Sequence, residues 1–204
     1  MKRPNRIGLD LDNTVINYTL SYRAIAEKLG LPREFIDRES IRPFLRKSGD
    51  DDVEWQRFQA LLYTDGLAFA QLATGLSDFL DLCADLNVRV FIVSHKTATT
   101  PVQFGARDLR GPAQAWLMNR GITPDYINLE DIYFCSTRVR KVNTIISLGC
   151  QAFVDDLTEV LEHPDMPIGI TRFHYQLNAP LFDKPALGVQ PANFASLLAW
   201  LASC

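Results

Sequence analysis

A doubly wound, mostly parallel α/β sheet with a small helical insertion is the architecture the sequence predicts, on three observations. Short apolar runs stop abruptly at polar residues, at Asp10, Ser94 and Asp155. Stretches with apolar residues at helical spacing lie between them, and strands alternating with helices imply βαβ units. One segment, 17–74, breaks the alternation and reads as helical throughout. At 204 residues, 47% hydrophobic and 22% charged, the chain suits one globular domain with room for an insertion.

The first strand is Ile7-Gly8-Leu9, running straight into Asp10-Leu11-Asp12-Asn13-Thr14. On an extended backbone residues i and i+2 point the same way, so Asp10 and Asp12 are expected to face one site. Tyr22, Ile25, Ala26 and Leu29 then recur at i, i+3, i+4, i+7 before Gly30-Leu31-Pro32, an amphipathic helix with its stop signal. The next stretch, 32–52, is charged and broken by Pro43 and Gly49. A second helix is expected over 53–63, with Trp55, Phe58, Leu61 and Leu62 on or near one face.

The α/β pattern resumes at Thr74-Gly75 with a helical stripe of Leu76, Phe79, Leu80 and Cys83. Val88 to Val93 form an apolar strand that suits the interior of a parallel sheet and ends in Ser94-His95-Lys96. Beyond it 97–111 reads as loop and 112–120 as a short helix. Ile132-Tyr133-Phe134-Cys135 is the third strand, followed by a helix over 139–148 with Val142, Ile145 and Ile146 inward. Ala152-Phe153-Val154 is the fourth, ending at Asp155-Asp156, and Ile168-Gly169-Ile170 is the expected fifth. The stretch 180–191 reads as irregular, and Phe194, Leu197, Leu198 and Leu201 mark a last helix. The core domain is thus expected at 1–16 and 75–204, with 17–74 inserted.

A formal net charge of −3 argues against a chain built to grip nucleic acid. Cys83, Cys135, Cys150 and Cys204 are far apart, without zinc-site spacing, and read as reduced thiols. No run of about 18 apolar residues is present, so no membrane span is expected. Charge opens the chain, but Asp10 interrupts the apolar run that a signal peptide needs, so a cytoplasmic location is expected. A monomer or a homodimer is expected.

In a parallel sheet the carboxyl ends of all strands lie on one edge. Asp10, Asp12, Ser94, Asp155 and Asp156 can therefore converge there, with Lys141 starting a nearby helix. Four carboxylates repel one another unless a cation offsets them, and a hard divalent ion with oxygen ligands is the natural compensation. These residue types suit phosphoryl transfer, where positioning and charge neutralisation supply most of the catalysis.

The ordered set Asp10-Leu11-Asp12-Asn13-Thr14, Val93-Ser94, Lys141, Asp155-Asp156 resembles the haloacid dehalogenase (HAD) superfamily in its phosphatase branch. The resemblance covers about 6–157, with 17–74 where that family carries a small helical first-position cap. It implies a Mg²⁺-dependent phosphatase acting on a small phosphorylated metabolite. Asp10 would attack phosphorus, and Asp12 would protonate the leaving oxygen and then activate water. Ser94 would bind a phosphoryl oxygen, and Lys141 would neutralise charge on nucleophile and phosphate. Asp10, Asp155 and the backbone carbonyl of Asp12 would hold Mg²⁺, with Asp156 reaching it through water or orienting its neighbours. His95 and Lys96 are candidate substrate contacts, as are Arg107 and Arg110 for a second anionic group. A phosphomutase or another phosphotransferase fits the same motifs. A phosphoacceptor module or a non-catalytic interaction subunit is the alternative from another class.

Overall fold

The computed structural model describes residues 3–47, 52–181 and 188–204. The chain divides into two compact units. One comprises Met1–Val15, Leu72–Lys96 and Leu117–Cys204, and the other Ile16–Gln71 and Thr97–Trp116.

The first unit is built on a six-stranded sheet. Its strands are β1 (Arg6–Leu9), β4 (Arg89–His95), β5 (Ile132–Cys135), β6 (Ala152–Asp155), β7 (Thr171–Tyr175) and β8 (Val189–Ala192). A separate two-stranded ribbon pairs β2 (Ile16–Asn17) with β3 (Gln71–Leu72), where 17–74 was expected to hold no strand. The order in the large sheet is β5-β4-β1-β6-β7-β8, and every pairing is parallel. From β1 the chain winds outward through β4 and β5, then returns to β6 on the other side of β1. The doubly wound expectation is met, and the reversal puts a crevice at the carboxyl ends of β1 and β6.

Register separates the two faces. Ile92, Leu9, Val154 and Phe173 are cross-strand neighbours on one face, where Phe173 packs 4.7 Å from Trp200 of α8 (Phe194–Ala202). Phe194 of the same helix lies 5.5 Å from Phe79 of α4 (Leu76–Asp85). On the other face Phe91, Gly8 and Phe153 are neighbours. There Phe91 and Phe153 share a core with Val142 and Ile145 of α6 (Arg138–Ser147) and Val160 and Leu161 of α7 (Thr158–Leu161).

Two expectations in this unit are corrected. The fifth core strand is Thr171–Tyr175 instead of 168–170, since Ile168 is 94% exposed while Phe173 is fully buried. The stretch expected to be irregular contains β8, which adds to β7 through Phe173–Gln190 and Tyr175–Ala192 pairs. Residues 182–187 lie outside the described residues.

In the second unit, α1 (Thr19–Lys28), α2 (Arg38–Lys47) and α3 (Val53–Leu62) bury one face each. Phe58 stacks between Tyr22 and Trp55 at 5.9 and 5.7 Å. The break expected at Pro43 does not occur, because Ile41 and Leu45 anchor the buried side of α2 while the proline ring stays at the surface. Gly49 lies outside the described residues. The stretch Thr97–Trp116 joins this unit through Arg107, whose guanidinium sits 2.7 Å from Asp65; Lys28 approaches the same carboxylate at 2.6 Å. These two partners hold the Asp65 carboxyl below its usual range.

Gly8 is tightly packed, since a Cβ there would lie 2.6 Å from the Phe153 ring and 3.2 Å from Cys150 Sγ. Gly8→Ala is expected to cost about 1–3 kcal/mol of overpacking, read from urea unfolding. Burial also pushes the Cys83 and Cys150 thiols up to about 12, so little thiolate exists at neutral pH. At pH 8 a disulfide reagent is expected to modify the partly exposed Cys204 in the folded protein, and Cys83 and Cys150 only after unfolding.

Candidate active site

Strand β1 ends at Leu9, and the Asp10 N–H continues its ladder by donating to the Val154 carbonyl at 2.8 Å. The chain then turns. Val15 N–H donates to Leu11 C=O at 3.0 Å, and Asn13 takes a left-handed conformation with φ 63°. Asn tolerates that region better than most residues. Asp10 and Asp12 both stand at this strand end, and their carboxylates take different lysines, Lys141 and Lys96.

Asp10 reaches the face that carries α6. The helix starts with Thr137, whose side chain accepts from Arg140 N–H at 3.1 Å. Lys141, Val142 and Ile145 are its buried residues, whereas Arg138 and Arg140 are exposed. The Lys141 stem lies in the core with its ammonium 5.5 Å from the centre of the Phe153 ring. That ammonium donates to Asp10 Oδ1 and stands 2.6 Å from Asp155 Oδ2. Asp155 Oδ1 accepts from Leu157 N–H at 2.9 Å. The lysine is 1% exposed and Asp155 fully buried.

The charges of this cluster do not balance. Asp10, Asp155 and Asp156 each offer an oxygen, with the three atoms within 4.8 Å of one another, against the one ammonium of Lys141. Burial pushes the Asp10 carboxyl well above its ordinary range; Lys141 pulls it back, and the other carboxylates add to the push. Burial alone would lower the Lys141 pKa, but the attraction of Asp10 and Asp155 outweighs it and keeps the ammonium charged. Asp155 Oδ2 is buried and lacks a directed hydrogen bond, its approach to Lys141 being an off-axis ion pair. An all-oxygen cluster of three carboxylates around one ammonium fits a hard divalent cation.

Asp12 is held differently. Lys96, 3% exposed, donates to its two carboxylate oxygens at 3.0 and 2.7 Å. Ser94 stands at the carboxyl end of β4, 1% exposed. His95 turns to the Ser136 carbonyl at 3.3 Å, and desolvation holds its pKa below the usual value. Of the two arginines considered for a second anionic group, Arg107 is paired with Asp65.

Two interactions were invisible in the sequence: the Lys96–Asp12 pair and a contact of His174. The His174 Nε2 lies 3.1 Å from the Asp156 carbonyl, and its Nδ1 lies 3.0 Å from Gln176 Nε2. With the Gln176 amide donating to Nδ1, His174 donates through Nε2 and braces the loop that carries Asp156. Thr14 Oγ1 is buried without a hydrogen-bond partner.

Removing Lys141 leaves two buried carboxylates uncompensated. Lys141→Met is expected to lower unfolding free energy in chelator-treated buffer by about 3–5 kcal/mol. A change near zero in urea titration would contradict the charge balance described.

No protein-family model matches the chain, and no curated protein sequence matches it significantly. Solved structures do. A HAD-superfamily hydrolase from Ehrlichia chaffeensis aligns over 99% of this chain and 98% of its own, with 15% identity and TM-score 0.55. A haloacid dehalogenase-like hydrolase from Streptococcus pneumoniae aligns over 95% and 89%, with 18% identity and TM-score 0.58. Protein Tyrosine Kinase A of Mycobacterium tuberculosis aligns over 97% of both chains, with 16% identity and TM-score 0.62. Sheet order, winding and these alignments agree: the chain has the α/β fold of the haloacid dehalogenase hydrolases.

Proposed function

We propose that the protein is a Mg²⁺-dependent phosphatase that hydrolyses a small phosphate monoester through an aspartyl-phosphate intermediate. The observation that carries this is the buried Lys141 shared by Asp10 and Asp155 at the carboxyl edge of the sheet. A carboxylate that is buried, oriented by an ammonium and next to a cation-binding cluster suits in-line attack on phosphorus. The substrate class follows from the motif resemblance and from the helical segment inserted after β1.

In the first step an Asp10 oxygen bonds phosphorus as the ester P–O bond breaks, and a proton passes from Asp12 to the leaving oxygen. In the second step water bonds phosphorus, the Asp10–phosphorus bond breaks, and the proton of water returns to Asp12. Lys141 holds charge on the nucleophile throughout, and Ser94 is available to bind a phosphoryl oxygen. Asp10, Asp155, the Asp12 carbonyl and Asp156 would hold Mg²⁺, which when bound neutralises charge on the transferring group.

A phosphotransferase would use the same first step and pass the phosphoryl group to a hydroxyl instead of water. The fold shared with a protein named as a tyrosine kinase motivates that second possibility. Product analysis separates the two, since hydrolysis yields inorganic phosphate and transfer yields a new ester.

On a panel of aryl phosphates, sugar phosphates and nucleotides, wild type with Mg²⁺ is expected to release phosphate, and Asp10→Asn to fall to background. Wild type no faster than Asp10→Asn across the panel would refute phosphatase chemistry. Independently of turnover, Mg²⁺ is expected to raise the melting temperature. The rise should vanish in Asp155→Asn, as read by thermal unfolding.

A further inference from the structure

The steps above give Lys96 no task, yet it is one of two buried lysines at this edge of the sheet. It follows β4 as Asp12 follows β1, and those strands are neighbours through the Leu9–Ile92 pair. Its ammonium meets the Asp12 carboxylate at 2.7 and 3.0 Å, one contact to each oxygen. Two contacts to one cation fix both the rotation and the tilt of a carboxylate that is only 15% exposed. A lysine meant for phosphate acts as a point charge held open to the incoming dianion. This one is spent on an acid.

We infer that Lys96 is a positioning residue that acts through Asp12, its two contacts fixing the direction in which the Asp12 carboxyl points. The inference rests on the phosphatase chemistry proposed above. In the first step the Asp12 carboxyl gives its proton to the leaving oxygen as the Asp10–phosphorus bond forms and the ester bond breaks. In the second the Asp12 carboxylate takes a proton from the attacking water as the Asp10–phosphorus bond breaks and phosphate leaves. The ammonium keeps the acid aimed at the leaving oxygen and supplies the charge that faces Asp12 when its proton has gone.

The test is a series of aryl phosphates of increasing leaving-group basicity, read as kcat/KM on full-length protein with Mg²⁺. A poor leaving group needs a positioned acid, and a good one such as p-nitrophenolate does not. Lys96→Met is expected to lose on the order of 10²-fold on the poorest leaving group and under about tenfold on p-nitrophenyl phosphate, with KM little changed. Lys96→Arg, which keeps a cation with two donors on Asp12, should restore the shallow wild-type dependence. In an Asp12→Asn background, Lys96→Met should cost nothing further. This double variant leaves no unpaired charge and serves also if Lys96→Met alone fails to fold.

An equal loss across the series, a raised KM at unchanged kcat, or a further loss in the Asp12→Asn background would each overturn the inference. The second of these results would make Lys96 a phosphate ligand instead. Wild type inactive on every ester would overturn the phosphatase chemistry, and the inference with it.

Discussion

One buried ammonium governs the chemistry of this edge of the sheet. Lys141 lies between Asp10 and Asp155, with its stem among Val142, Ile145 and Phe153 and its charge where three carboxylates crowd together. Burying one lysine is costly, and burying carboxylates beside it without the lysine is costlier. The balance is still short of positive charge, and Asp10 carries the shortfall as a carboxyl pushed upward by burial. On the function proposed above, such a cluster would take a cation and a phosphoryl group together.

The fold makes the arrangement obligatory. β1 and β6 are central neighbours, paired from Ile7–Ala152 to Leu9–Val154, so the residues next after the last pair, Asp10 and Asp155, emerge side by side. Gly8 and Phe153 precede them on the same face, and the missing Cβ of Gly8 lets the Phe153 ring close beneath the charges. The α6 helix packs on that face, and its inward stripe of Val142 and Ile145 directs Lys141 to the carboxylates. Core packing and site assembly are therefore one event, so a packing defect under Phe153 would also disturb the charges above it.

The central strands were legible because each ends abruptly at a polar residue, and sheet topology then implies convergence. Lys141 shares the buried side of α6 with Val142 and Ile145, whereas Arg138 and Arg140 are exposed. What escaped was set by tertiary context. The true β7 is Thr171–Tyr175, whose alternation of Phe173 and Tyr175 with polar residues is weaker than the apolar run at 168–170. Helix α2 passes Pro43 because Ile41 and Leu45 are held from outside the helix. The Lys96–Asp12 and His174–Asp156 contacts join residues 84 and 18 positions apart, and only strand register brings them together. The motif Asp10-Leu11-Asp12 gave no sign that each carboxylate has its own lysine, Lys141 for Asp10 and Lys96 for Asp12.

The central claim, that Asp10 is made a phosphoacceptor by the charges around it, has a direct chemical readout. Protein incubated with Mg²⁺ and an aryl phosphate, quenched and reduced with borohydride, converts an aspartyl phosphate to homoserine, which peptide mass spectrometry locates. The account predicts homoserine at position 10, absent without substrate and absent in Asp10→Asn. Turnover of the ester with the label at another aspartate, or with no label under conditions that trap an acyl phosphate, would contradict it.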